Sequence, residues 1–282
     1  RQEVRIKDLS ACVTGLLLAL VIPPATPLWM TALGSLFAVI VAKEFFGGLG
    51  ANVFNPALAG RAFMLMSFPA AMTSWLNPAA AGSLFRPDGG TGATPLGIIQ
   101  AGGGLVDVAT SASSSAGSVA ASLGLVEKLD VYKELFLGFR GGCIGETSIL
   151  LILAGGLYLL ITKTIDWRAP LAMLATSAIV GAVLGLDPVF TLLSGGLMFG
   201  AVFMATDYTS APVTEGGKLV FGVGAGLIVA LIRKYGAYPE GVMFSILIMN
   251  AVAPFLNKIL HKKYGYVPPK KPADKAIGGG SK

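Results

Sequence analysis

The stretch "GKLVFGVGAGLIVALI", residues 217–232, decides the fold class, because a single charge, Lys218, stands among apolar and small residues. A run of this kind approaches the ~20 apolar residues with which a helix crosses a bilayer. Of the 282 residues, 54% are hydrophobic and 13% charged, and the mean hydropathy is +0.73. Soluble domains carry about 25% charged residues. The composition therefore predicts a membrane protein.

Similar apolar runs recur along the chain, and lipid cannot satisfy exposed backbone groups, so we predict an all-α bundle of membrane helices. Eight helices are expected, near residues 9–22, 28–45, 53–69, 146–162, 169–186, 190–206, 217–232 and 239–260. Several of these runs are short or interrupted, for example by "IPP" and by "ANVFNPALAGRAF". Broken half-helices at membrane depth need shielding and often line a site.

The two ends of the chain share a texture of glycine-rich short spans, proline-containing breaks and long spans. Two pseudo-symmetric halves would explain it, as in many transporters. The alternative, that glycine-rich membrane helices simply look alike, stays open.

The basic residues predict the orientation, because Lys and Arg near helix ends stay in the cytoplasm. With alternating spans, fourteen basic residues fall on one side and six on the other. We therefore expect both chain ends in the cytoplasm. The expected units are N-terminal membrane helices at 1–69, an extracytoplasmic loop at 70–133, C-terminal membrane helices at 134–260 and a disordered basic cytoplasmic tail at 261–282. The tail and the loop ends supply much of the positive charge, so we expect no nucleic-acid partner.

The expected outer loop contains "RPDGGTGATPLG", residues 86–97. Its glycines allow a close backbone approach to a ligand, Thr91 and Thr94 offer hydroxyls, and Pro95 fixes the chain just after them. The loop lacks the lysine of a phosphate-binding P-loop and does not follow the strand, turn and helix order of a dinucleotide fingerprint. Both nucleotide-binding interpretations are excluded.

Metal chemistry has little support in the sequence. The two cysteines, Cys12 and Cys143, each lie in or beside an apolar segment, which favours small buried residues. We find no Cys-x-x-Cys pair and no histidine cluster, so we expect no protein-bound metal centre.

The segment "DGGTGATPL", residues 88–96, resembles the D-x-x-[ST]-G-A-[ST] signature at which FMN is attached through its phosphate to the last hydroxyl residue. "AKEFFGGLGANVFNPALAGRAF", "GFRGGCIGETS", "FMATDYTSAP" and "YGAYPEGVMFSILIMNAVAP" agree with the same family. Together they resemble the RnfD/NqrB family of membrane subunits, and the likeness runs from Asp8 to about Lys258.

The resemblance implies covalent FMN on Thr94, with Asp88, Thr91, Gly92 and Ala93 completing the signature. A second, non-covalent flavin, riboflavin or FMN, is a further possibility in such a protein. The family works inside an ion-translocating oxidoreductase that moves Na+ or H+ across the cytoplasmic (inner) membrane of a prokaryote. The implied partners are other Rnf subunits carrying flavin, membrane helices and iron-sulfur centres, together with the lipid bilayer and a flavin transferase for maturation. Such a protein turns nothing over alone.

Family members begin with about two more helices than this chain, which starts at Arg1 without a methionine, so we expect upstream sequence and a total near ten. The family also often has Asp-Pro where this chain has Asp207 and Tyr208.

Intramembrane polar residues add further candidates. Burying a polar group in the membrane costs free energy, so such residues often serve a function. Arg61 is expected to pair with a flavin oxygen or a carboxylate. Asn55 opens a half-helix, and Glu146 and Thr147 of "GETS" either line a site or cap a helix. Asp187 and Glu240 are interpreted as a helix cap and a first-turn acid beside Pro188 and Pro239. Trp29, Trp75 and Trp167 are interpreted as interfacial anchors.

Three rival functions remain at this level. The quinone-reductase relative, the NqrB component of a sodium-pumping NADH:quinone oxidoreductase, would use the same motifs. A flavin-free channel or secondary transporter would use the broken helices and owe nothing to Thr94. A scaffold with a decayed flavin site is disfavoured because Thr94 is intact.

Overall fold

The computed structural model describes residues 9–76, 91–92, 94–103, 128–138, 141–236, 238 and 240–259. Over these residues the regular secondary structure is helical apart from a short antiparallel ladder, in which β1 (Trp75–Leu76) pairs with β2 (Thr91–Gly92). Ala93, Asp88, His261 and the 261–282 tail lie outside the described residues. The expected all-α membrane architecture is confirmed in this part of the chain.

The helices follow the predicted order. They are α1 (Ser10–Val21), α2 (Leu28–Leu36), α3 (Pro56–Ser67), α4 (Pro69–Met72), α5 (Pro95–Gln100), α6 (Lys128–Leu137), α7 (Ile144–Thr147), α8 (Ile149–Ile161), α9 (Arg168–Val183), α10 (Pro188–Leu193), α11 (Leu197–Phe199), α12 (Glu215–Tyr235) and α13 (Val242–Ile259).

Each of the eight predicted helices is present, but three of them are broken or change pitch. Helix α2 continues as a π-helix over Phe37–Val41, and α11 continues as one over Gly200–Met204. The predicted 190–206 helix is interrupted between α10 and α11 at Gly195, whose φ of +62° suits glycine. The predicted 146–162 helix is split because the Ser148 side chain accepts a hydrogen bond from Leu151 N–H and so starts a new helix, α8.

Within the part of the chain that the structure describes, three helical stretches are long and apolar enough to cross a membrane: Leu28–Phe46, Glu215–Tyr235 and Val242–Ile259. Three shorter apolar helices, α1, α8 and α9, have 12, 13 and 16 residues. A helix that spans the bilayer has about 17–25 residues. The three shorter helices can therefore cross it only together with the turns that flank them.

The opening stretch of sequence packs closely against α9. A Cβ at Gly222 would lie 2.5 Å from the Ala169 carbonyl oxygen, and one at Gly226 would lie 2.5 Å from that of Met173. The Ser177 hydroxyl donates to the Gly226 carbonyl at 3.2 Å. Small residues four apart let two membrane helices approach this closely, and interhelical hydrogen bonds add to the contact.

The buried apolar side chains of the described residues form two groups. The main core gathers residues from most of the membrane helices, with Met173, Leu197, Phe221 and Ile246 among its fully buried members. A separate small group, here called the satellite cluster, consists of Leu96, Leu135 and Phe190. The satellite cluster joins α5 to α6 and α10.

Candidate functional site

Thr94 caps the short helix α5. Its backbone is extended, with φ −65° and ψ 156°, and its Oγ1 accepts a hydrogen bond from the Gly97 N–H at 3.2 Å. Threonine before proline is a favoured helix start, because the hydroxyl satisfies a free N–H and proline fits the first helical position. The Thr94 side chain is therefore fixed, and it is only 6% exposed.

Contacts on both sides of Thr94 hold its segment, here called the Thr94 segment (residues 91–92 and 94–100), against the rest of the bundle. Upstream, Gly92 lies opposite Trp75 in the β ladder. Downstream, Gln100 Nε2 donates to the Gly236 carbonyl at 2.6 Å. Between these two points Leu96, 8% exposed, enters the satellite cluster. Gly92 and the start of α5, on either side of Thr94, thus both contact the rest of the bundle.

Thr94 lines a cavity of about 190 Å³, here called the Thr94 cavity. Two charged side chains, Arg61 and Glu240, share it. The remaining lining is aromatic, apolar or small: Leu65, Met72, Thr73, Trp75, Gly97, Tyr238 and Met243. The structure therefore brings a hydroxyl, a guanidinium and two aromatic rings to one place.

Arg61 forms ion pairs with two carboxylates. Its Nη1 lies 3.5 Å from Glu146 Oε1, and its Nη2 donates to Glu240 Oε2 at 2.5 Å. The three side chains are 10%, 3% and 14% exposed. A charge this deeply buried persists only when it is paired and hydrogen-bonded. The pairing with carboxylates confirms one of the two partners expected for Arg61.

The break between α10 and α11 makes room for Glu146. A Cβ at Gly196 would lie 2.8 Å from Glu146 Oε1, closer than side chains pack. Glycine at this position therefore leaves room for the Glu146 carboxylate where it pairs with Arg61. Thr147, the other "GETS" candidate, instead donates its hydroxyl to the Ile144 carbonyl at 3.0 Å within its own turn.

Two expectations about this region are wrong. Glu240 is not a first-turn acid, because α13 begins only at Val242, which leaves the carboxylate free to turn towards Arg61. Trp75 is not an interfacial anchor, because its pairing with Gly92 draws it inward to 8% exposure at the cavity wall. Trp29 and Trp167, at 56% and 54% exposure, have the exposure expected of anchors.

The predicted half-helix start at Asn55 and the predicted helix cap at Asp187 are confirmed. Asn55 Oδ1 accepts from the Ala57 and Leu58 N–H groups at the start of α3. Asp187 Oδ1 accepts from the Val189 and Phe190 N–H groups at the start of α10.

Asn55 also lines a second cavity, of about 410 Å³, which the Thr94 segment does not reach. Its polar wall includes Lys43, Asn52 and Asp207. Lys43 is 3% exposed and its Nζ donates to Ser10 Oγ at 2.5 Å, while Asn52 Nδ2 donates to Thr209 Oγ1 at 2.8 Å. Lys43 is one of the fourteen basic residues that the sequence assigns to the cytoplasmic side, and its burial was not predicted.

Basic residues lie near both ends of α12. Lys218 and Arg168 both contact Asp166, with Lys218 Nζ 3.0 Å and Arg168 Nη1 3.1 Å from Oδ2. Burial opposes ionisation of Asp166, but hydrogen bonds and charge from Arg168 and Lys218 outweigh it and lower the pKa of this carboxyl. Arg233 and Lys234 lie at the other end of the 21-residue α12. With a rise of 1.5 Å per residue, the two ends of this helix are about 30 Å apart.

Comparisons with known proteins agree on one family. The model of the NQR2, RnfD, RnfE family matches residues 1–265. A relative from Clostridium ljungdahlii, which is part of the proton-translocating ferredoxin:NAD(+) oxidoreductase complex, is 44% identical over 264 residues; these are 91% of this chain and 74% of the relative.

Two further relatives are similarly close. One, from the Na(+)-translocating ferredoxin:NAD(+) oxidoreductase complex of Acetobacterium woodii, is 42% identical over 278 residues, or 97% of this chain and 78% of the relative. The other, from the ion-translocating oxidoreductase complex of Stutzerimonas stutzeri, is 41% identical over 276 residues, covering 93% and 77%.

Proposed function

The chain belongs to the NQR2, RnfD, RnfE family, and on this premise we propose that it is the membrane subunit of an Rnf-type ion-translocating oxidoreductase and carries FMN covalently on Thr94. Its three relatives are subunits of such complexes, two of them linked to ferredoxin and NAD(+). The chain acts as one part of a multi-subunit translocase and catalyses nothing alone.

One observation carries the proposal: the Thr94 hydroxyl lies at the wall of a cavity that also contains Arg61, Trp75 and Tyr238. A hydroxyl supplies the oxygen of a phosphoester, and a guanidinium suits a nearby phosphate. Aromatic side chains offer flat apolar faces to a planar ring. The residues present therefore fit FMN, which when bound supplies a one- or two-electron carrier.

Arg61 orients the site more than it neutralises it, because Glu146 and Glu240 already share its charge. Its two partners fix the guanidinium in one place, so the positive group needs no rearrangement when an anion is bound nearby. Trp75 is fixed in the same way by the β ladder.

The Thr94 cavity, at about 190 Å³, is smaller than the ~300–1,000 Å³ of sites that enclose a drug-sized ligand. It would enclose part of FMN and leave the rest accessible from outside. An accessible edge suits electron exchange with a flavin-carrying partner protein.

The test is to denature the purified protein, separate it on a gel and look for flavin fluorescence in its band. We expect a fluorescent wild-type band, a dark Thr94→Ala band and a fluorescent Thr94→Ser band, because serine keeps the hydroxyl. Thr73→Ala, which removes a different threonine of the cavity wall, is the matched control and should stay fluorescent. A dark wild-type band from cells that contain the flavin transferase would favour the flavin-free transporter.

Ferredoxin linkage is favoured over quinone linkage by the names of the relatives. The assembled complex should pass electrons between reduced ferredoxin and NAD(+). Quinone reduction by NADH without ferredoxin activity would instead indicate the sodium-pumping quinone reductase. The coupling ion is Na+ or H+, since relatives of 44% and 42% identity are named for different ions.

In the proposed orientation in the prokaryotic cytoplasmic membrane, the Thr94 segment lies on the extracytoplasmic side. Asp166 and its partners Arg168 and Lys218 lie on the cytoplasmic side. The separation of Lys163, Arg168 and Lys218 from Arg233 and Lys234 along the bundle supports this orientation. In a Cys12→Ser background, a membrane-impermeant thiol reagent added to whole cells should label Lys234→Cys and spare Lys163→Cys. Both positions are exposed, so the reverse pattern would invert the orientation.

Two features support pseudo-symmetric halves and a second, non-covalent flavin. The π-helices Phe37–Val41 and Gly200–Met204 end close to Lys43 and Asp207, and both of these residues line the second cavity. Its volume of about 410 Å³ falls within the ~300–1,000 Å³ of ligand sites. Denaturation should therefore release one flavin into solution besides the one that stays in the gel band.

Lys43→Met should abolish the released flavin and leave the band fluorescent. Lys163→Met, at an exposed position, is the matched control. Release of equal flavin from both variants would place the second flavin elsewhere.

A further inference from the structure

The hydroxyl that would receive FMN is buried. Thr94 is 6% exposed, its Oγ1 accepts the Gly97 N–H, and its neighbours Pro95 and Leu96 are buried as well. A separate enzyme that modifies Thr94 has to bring its own catalytic groups within hydrogen-bond reach of the oxygen. A cavity of about 190 Å³ is smaller than the ~300–1,000 Å³ that encloses a drug-sized ligand, so it cannot hold a flavin donor together with the catalytic groups of a transferase.

Within the described residues, the α5 segment is held by the satellite cluster, the Gln100–Gly236 hydrogen bond and the two-residue β ladder, none of which belongs to the main core. Thr94 itself also lines the cavity beside Met72 and Met243 of the main core. Regions with few buried apolar contacts open at a lower free energy than the whole protein unfolds. The α5 segment can therefore leave its seat while the helices of the main core stay packed.

We infer that FMN is attached to Thr94 while the α5 segment is undocked, and that docking of α5 then carries the attached flavin into the Thr94 cavity. This inference rests on the proposed function. A chain whose α5 is docked before it carries flavin would therefore accept FMN slowly. The stability of the satellite cluster would set how fast FMN is attached.

The transfer balances as an exchange of phosphoryl partners. The Thr94 oxygen attacks the FMN-side phosphorus of a flavin dinucleotide, a P–O bond to threonine forms, and the P–O bond of the phosphoanhydride breaks. The nucleoside monophosphate leaves, and the hydroxyl proton passes to a base of the transferase. No atom is oxidised or reduced. Free FMN is not the donor, because its phosphate has no comparable leaving group.

The test uses the full complex, assembled in cells that lack the flavin transferase, and then incubated with purified transferase and flavin dinucleotide. The initial rate of gain of in-gel flavin fluorescence is measured for four chains. These are the wild type, Leu96→Ala, Gln100→Ala and Leu151→Ala. Leu151 is 71% exposed on α8 and is the matched leucine control.

When opening is faster than modification, the rate follows the open population. Leu96→Ala removes a buried leucine and should speed attachment by about tenfold or more. Gln100→Ala removes one hydrogen bond at an exposed site, endangers folding little and should speed attachment about fivefold. Leu151→Ala should match the wild type.

Equal rates in all four chains, whether high or zero, overturn the inference, as does a faster rate in Leu151→Ala alone. The proposed function fails separately. In that case the wild type remains dark even when it is produced together with the transferase.

Discussion

The Arg61 guanidinium lies between two carboxylates distant in sequence, 3.5 Å from Glu146 and 2.5 Å from Glu240. Glu146 belongs to α7 and Glu240 to the connection before α13, so Arg61 ties three parts of the bundle together at the floor of the Thr94 cavity. The first prediction concerns this link.

Replacing Arg61 with leucine leaves two carboxylates buried without their cation. We expect a loss of about 3–5 kcal/mol in the free energy of unfolding, because breaking a buried ion pair strands the charges that remain. The measurement is denaturant-induced unfolding in detergent, followed by tryptophan fluorescence.

The control for Arg61→Leu is Arg168→Leu. Arg168 also contacts two carboxylates, Asp166 and Glu215, but its side chain is 27% exposed, and pairs open to solvent contribute about 0–1 kcal/mol. Equal losses in the two variants would show that Arg61 is no more important than a surface arginine.

The second prediction is a packing defect on substitution of Gly226. A Cβ there would lie 2.5 Å from the Met173 carbonyl oxygen, so Gly226→Ala has to push α12 and α9 apart. We expect destabilisation of about 1–3 kcal/mol, as for other overpacked sites. Thermal unfolding in detergent measures it.

Gly15→Ala is the matched control for Gly226, since nothing lies within 4 Å of the added methyl. It should be neutral or stabilising by up to ~1 kcal/mol through helix propensity. A stable Gly226→Ala protein would mean that the two helices are not in close contact.

The third prediction is that the stability of the protein depends on pH through Asp166. Because its pKa is lowered in the folded state from the ordinary 3.8, its contribution to stability is present above about pH 4 and is lost as the pH falls through the lower folded value. The unfolding temperature of the wild type should therefore fall more steeply below pH 4 than that of Asp166→Asn. Parallel curves for the two proteins would contradict the assigned pairing with Arg168 and Lys218.

Local sequence rules predicted some site residues and failed on others for identifiable reasons. Asn55 and Asp187 precede prolines, and their caps depend only on the next three residues, so sequence sufficed. Glu240 also follows a proline, but its partner Arg61 is 179 residues away. Nothing local indicates that pair.

Trp75 and the helix breaks show the same limit. An aromatic residue between apolar blocks usually lies at a membrane interface, whereas Trp75 pairs with Gly92 and is 8% exposed at the wall of the Thr94 cavity. The sequence predicted one helix over residues 190–206, whereas the structure breaks it at Gly195. The space that Gly196 leaves for Glu146 depends on how separate helices pack. Thr94 was identified by a motif, and its burial could not be read from that motif.

The last prediction tests whether Trp75 faces the attached flavin. Trp75 is 8% exposed and lines the Thr94 cavity, so Trp75→Ala removes an aromatic wall without touching the Thr94 hydroxyl. We expect the denatured gel band to stay fluorescent, while the visible circular dichroism of the folded protein falls and its flavin fluorescence rises. An aromatic ring in contact with a flavin orders it and quenches its emission. Trp167→Ala, at a position 54% exposed on the opposite end of the bundle, should change neither spectrum. Unchanged spectra in Trp75→Ala would mean that the flavin lies outside this cavity, although it is still attached to Thr94.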